Sequence, residues 1–70
     1  MEVLRKRSNK GILYRIMDDC PGLHVFVIEY AKTFEDKGEI IYGWYPLYEP
    51  QKTFTNFEKV KEIFEKLCAD

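Results

Sequence analysis

Few side chains in this sequence can do covalent or acid–base chemistry, and they are scattered. His24 is the only histidine, and Cys20 and Cys68 are the only thiols. A zinc centre needs three or four convergent ligands. These residues are too few, so neither a metal nor a cofactor is expected. Asp18 and Asp19 stand beside Cys20. Neighbouring carboxylates raise a thiol's pKa, the wrong direction for a nucleophile. No Gly-rich phosphate loop is present, and no cleft is implied in which two acids could divide acid–base roles. The chain is therefore expected not to be an enzyme.

Two other groups of residues suit binding. Arg5, Lys6, Arg7, Lys10 and Arg15 give residues 1 to 17 a balance of +4, against −5 for the rest of a chain whose net charge is −1. Such a segment can meet phosphates. Tyr42, Trp44 and Tyr48 lie close together and can anchor a protein contact or stack on bases.

These residues must be positioned by a single small domain, residues 1–70. A chain of this length buries only about 60% of the surface that it exposes when unfolded. Its aromatic share of 16% supplies bulky core material. No apolar h-region follows the basic start, and no apolar run approaches the roughly 20 residues of a membrane helix. The expected setting is cytoplasmic, without membrane contact.

The strongest strand signal is Leu23–Tyr30, which continues towards Phe34. Residues 12–17 and 39–47 read as further strands, ended by Pro46 and Pro50. Asp18–Gly22 and Glu35–Gly38 are turn sequences, the first with the Pro–Gly pairing of a type II turn. Residues 1–11 are either an edge strand or a flexible basic end, and Ser8–Gly11 suits a hairpin turn. Thr55 and Glu58 have capping-box spacing. Phe57, Val60, Ile63, Phe64 and Leu67 form one helical stripe, which places a helix at 55–68. The fold class is α+β: an antiparallel meander of three or four strands with one C-terminal helix on one face, (β)βββα. The helix starts near the Cys20 end of the sheet and runs back, so Cys68 lies too far from Cys20 for a disulfide.

Pairing Met17 with Leu23 and Phe34 with Glu39 sorts the strands into two faces. Ile12, Tyr14, Ile16, Phe26, Ile28, Tyr30, Ile41, Tyr45 and Leu47 face the helix, and Gly43 leaves room for it. The other face carries Leu13, Arg15, Met17, Val25, Val27, Glu29, Ala31, Ile40, Tyr42, Trp44 and Tyr48, and nothing remains in the chain to cover it.

The expected function is a protein-interaction domain that uses this second face, as a homodimer or to bind or inhibit another protein. Trp44, Tyr42 and Tyr48 are the anchors, and Val25, Val27 and Met17 the apolar bed. Arg15 and Glu29 would pair reciprocally across a two-fold axis. The alternative is a nucleic-acid-binding module built on Arg5, Lys6, Arg7 and Lys10 with the sheet aromatics. A three-stranded sheet backed by a helix resembles the layout of certain plant and integrase amino-terminal DNA-binding domains, which would imply this second role.

Overall fold

The computed structural model describes residues 1–19 and 22–70, with the backbone alone at Phe34. Four antiparallel strands in the order β1-β2-β3-β4 are followed by one helix: β1 Glu2–Arg7, β2 Leu13–Asp18, β3 Phe26–Asp36, β4 Glu39–Pro46 and α1 Phe57–Ala69. Residues 1–11 are thus an edge strand with its turn. Gly11 takes φ 87°, which L side chains resist. Ser8 N–H donates to the Ile12 carbonyl at 2.7 Å, and Ser8 Oγ accepts from Ile12 N–H at 3.1 Å.

Both expected registers shift. Met17 pairs with Val27 rather than Leu23, because Gly22 and His24 adopt positive φ and hold residues 22–24 out of the ladder, while the Val25 carbonyl still accepts from Asp19 N–H at 2.9 Å. Asp36 pairs with Glu39, so Phe34 meets Ile41. The turn is only Lys37-Gly38, both with positive φ (52° and 83°), as a type I′ hairpin requires. Each shift moves a partner by an even number of residues, so the two faces survive. The type II turn expected around Pro21, like Cys20, lies outside the described residues.

The helix stripe packs on β2 and β3. Ile16, Phe26, Ile28, Phe54, Val60, Phe64 and Cys68 form the core, with Leu4, Tyr14, Leu47 and Tyr48 packed against it. Phe54 makes an isolated antiparallel bridge with Phe26, bonded both ways at 2.7 and 2.8 Å, inside what the sequence suggests is a plain connector. Asn56, not Thr55, caps the helix: its Oδ1 accepts from Lys59 N–H at 3.2 Å. That places Lys59 at the position where a capping box needs Glu or Gln, so the cap is one-sided. At the other end Asn9 donates its N–H to the Cys68 carbonyl and its Nδ2–H to the Ala69 carbonyl, both at 3.0 Å. These occupy two carbonyls that a helix end leaves without partners.

The sheet is unequal in length. β2 pairs with β3 only as far as Tyr14–Tyr30, whereas β3 and β4 pair out to Asp36–Glu39. The residues beyond Tyr30 form a two-stranded arm about 20 Å long at ordinary strand rise. The long axis is 41 Å against 26 and 21 Å, and the radius of gyration is 13.0 Å. A globule of this length would have about 11 Å. Among the described residues no helix is long and apolar enough to cross a membrane.

Candidate interaction surface

The face away from the helix divides into a closed half and an open half. On the closed half, over the body of the sheet, charged side chains form a continuous row. Arg5 Nη2 lies 2.7 Å from Glu2 Oε1, Arg15 Nη1 lies 3.8 Å from the same oxygen, and Arg15 Nη2 lies 2.8 Å from Glu29 Oε1. Arg15 Nε also donates to that Glu29 oxygen at 2.8 Å. Arg15 and Glu29 are directly opposite across β2 and β3, so they satisfy each other within one chain. The expected reciprocal pair across a dimer axis is corrected on this point.

Trp44 belongs to the same half. The Arg15 Cζ sits 4.0 Å from the indole centroid and the Arg5 Cζ 5.2 Å. Neighbouring strands are about 4.8 Å apart, so an indole on β4 meets an arginine on β1 only by leaning across β3. Ala31, directly opposite Trp44, is small enough to permit this. Cation–π contacts of this kind hold the ring over the sheet. Trp44 is half-buried in the single chain and is not a free anchor.

Two more expected members are corrected. Val27 is on this face but only 1% exposed, so a partner cannot reach it. Tyr48 is on the other side, packed against the helix-facing core with its ring 6.3 Å from Phe54. Face alternation holds only within a strand, and the chain leaves β4 at Pro46. Met17 and Val25 are half-buried on the body.

The open half is the arm. Tyr42 is 68% exposed, Ile40 71% and Ile41 44%. Tyr42 and Ile40 lie on the face of Trp44, and Ile41 lies on the other. The helix does not extend along the arm, so Ile41 is uncovered despite its helix-side parity. Gly43 likewise faces Lys32 on the arm rather than giving the helix a close approach. Ile40 and Ile41 were not singled out from the sequence. The signal was there in strand length: six residues before the first turn cannot pair along a twelve-residue strand, so part of the following hairpin had to project.

The basic residues do not form one patch. Arg5 is held by Glu2 and Trp44, and Arg7 Nη1 donates to the Gly11 carbonyl at 2.8 Å. Lys6 pairs with Tyr14 and so lies on the helix side, while Lys10 is in the turn. The arginines, moreover, occupy the indole face on which a base would stack.

His24 is exposed, stacked on Phe26 at 5.9 Å, with Nδ1 3.9 Å from Asp18 Oδ2. It borders an apolar groove of about 490 Å³ lined by Met1, Val3, Phe26 and Phe57. Among the described residues no three His, Cys, Asp or Glu side chains gather as a metal site. The chain matches no family model, no curated protein and no solved structure.

Proposed function

We propose that this chain is a non-enzymatic protein-interaction domain whose contact surface is the β3–β4 arm. One observation carries the reading: three consecutive large apolar residues, Ile40, Ile41 and Tyr42, are 71%, 44% and 68% exposed on a two-stranded projection. Exposed apolar residues scattered singly need no explanation, but here Ile40 and Tyr42 adjoin on one face of the arm and Ile41 is uncovered on the other, so the projection is apolar on both sides. An isolated two-stranded ribbon is also marginal in water and gains stability from added contacts. The body of the sheet acts as the mount: its charges are paired, and its aromatics are stacked or buried. The setting we propose is cytoplasmic, in keeping with a buried free thiol at Cys68.

The test is site-specific photocross-linking in cells, with a benzophenone amino acid at position 42 and, as control, at Glu62 on the exposed helix face. Protein adducts at position 42, absent at position 62 and lost with Ile40→Asp, are expected. Adducts at 62 equal to those at 42, or none at 42, remove the arm as the contact surface.

A further inference from the structure

The outer edge of β4 has a hydrogen-bonding phase that the hairpin determines. Asp36 and Glu39 flank a two-residue turn, so they form a bonded pair, and bonded pairs alternate along the ladder. Leu47 N–H donates to the Ile28 carbonyl at 3.0 Å, which carries the same phase past the strand's end. Odd-numbered residues of β4 therefore bond inward to β3. The N–H and C=O groups of Ile40, Tyr42 and Trp44 point outward along an edge with no neighbouring strand among the described residues. No charged residue lies between Ile40 and Tyr45. Sheet edges exposed in this way usually carry charges or proline.

We propose that the occupant of this edge is a second copy of the chain, with β4 pairing antiparallel to β4 about a two-fold axis through Tyr42. This rests on the arm being the contact surface and names its partner. Hydrogen-bond phase sets the register. With the axis at Tyr42, Ile40 meets the partner's Trp44, Tyr42 meets the partner's Tyr42, and every outward N–H and C=O of these residues is bonded. With the axis one residue on, at Gly43, the Ile40 carbonyl faces the partner's Pro46, which has no N–H to give. Side chains agree at the axis, where directly opposite residues share a face and Tyr42 meets the partner's Tyr42 as an aromatic pair.

Charge gives the direction. The tip of the arm carries Glu35, Asp36 and Glu39 against Lys37, while Arg5 and Arg15 at its base are already paired with Glu2 and Glu29. Parallel pairing would set the two acidic tips side by side, and antiparallel pairing keeps them at opposite ends of the seam. The other margin of the arm, β3 beyond Tyr30, carries Lys32, Glu35 and Asp36 and is guarded in the usual way. A ladder this short falls below the roughly 1,200 Å² of a stable interface. The dimer is therefore one that forms as concentration rises.

The experiment is amide exchange by NMR together with light scattering on the full chain, from about 10 µM to about 1 mM, the range in which weak complexes form. The expected result is a rise towards dimer mass, with exchange at Ile40, Tyr42 and Trp44 slowed about ten-fold or more relative to dilute protein. Ile41 and Gly43, already bonded to β3, should change least. Tyr42→Pro removes an outward N–H together with the exposed ring, and Ile40→Lys charges the seam; each should stay monomeric with body amides such as Phe26, which donates to the Phe54 carbonyl, still protected. A dimer with no alternating protection on β4 overturns the edge. A monomer throughout overturns the second copy. In that case adducts to a different protein at position 42 would leave the arm reading standing, and their absence would remove that reading too.

Discussion

The two margins of this sheet are built oppositely. β1 carries Glu2, Arg5, Lys6 and Arg7 and has an irregular register between Glu2 and Leu4, all features that discourage strand addition. β4 carries Ile40, Ile41 and Tyr42 in succession and has regular pairing along its whole length. Leu4 packs on the core, so β1 belongs to the body. The distal part of β4 belongs to the arm and touches little besides β3. One sheet thus has a guarded edge fastened to its core and an unguarded edge held away from it. On the proposed function, side chains on the first act on folding, and those on the second on association.

The sharpest way to break that contrast is a matched truncation on β3 and β4. Ile28→Ala, at 0% exposure in the body, should cost about 2–5 kcal/mol in urea denaturation, whereas Ile40→Ala should change stability by less than about 0.5 kcal/mol. A large loss at Ile40 in dilute protein would mean that the arm is part of the core. Gly38→Ala tests how firmly the arm is held. No atom lies within 4 Å of the added Cβ, but φ is 83°, so the cost is conformational, about 1 kcal/mol. It should appear as local exchange in the arm before global unfolding.

The closed half of the face can be probed through Arg15 and Trp44. A double-mutant cycle with Arg15→Met and Trp44→Leu should return a coupling of about 0.5–1 kcal/mol. Zero coupling would mean that the indole is free after all and available to a partner. The smallest effect is on pH. Burial raises the Cys68 thiol above its ordinary 9.0, with Lys6 opposing, and burial with the charges of Cys68 and Asp70 raises the Tyr14 phenol above 10.0. Both groups hold their protons more tightly when folded. Their contribution is therefore complete below pH 9 and is lost as pH rises past 9.0, then 10.0, until the raised values are passed. Cys68→Ala should flatten the first part of that decline in denaturation midpoints measured between pH 8 and 11.

Alternation of side chains made the two faces legible before any pairing was known, and even-numbered errors at both turns left them intact. Tyr48 was misplaced because alternation ends where Pro46 ends the strand. The cap moved from Thr55 to Asn56 because both can accept from the third residue on, and only backbone geometry selects between them. Arg15 and Glu29 were correctly placed on one face, but opposite charges on neighbouring strands pair first with each other. The arm is implied by the strand lengths taken together but by no single segment. Its projection depends on where β2 stops pairing, a property of two strands together that neither stretch of sequence carries alone.

Asn9 holds the last turn of a helix that begins only after the whole sheet has been made. Asn9 and Ala69 stand 60 residues apart in sequence. Their contact closes nearly the whole length of sheet and helix into one loop, so its entropic cost is met only after both are formed. The last turn of α1 is therefore the final piece to dock and the first to open, and cover over Ile16 and Ile28 loosens from the end that holds Cys68.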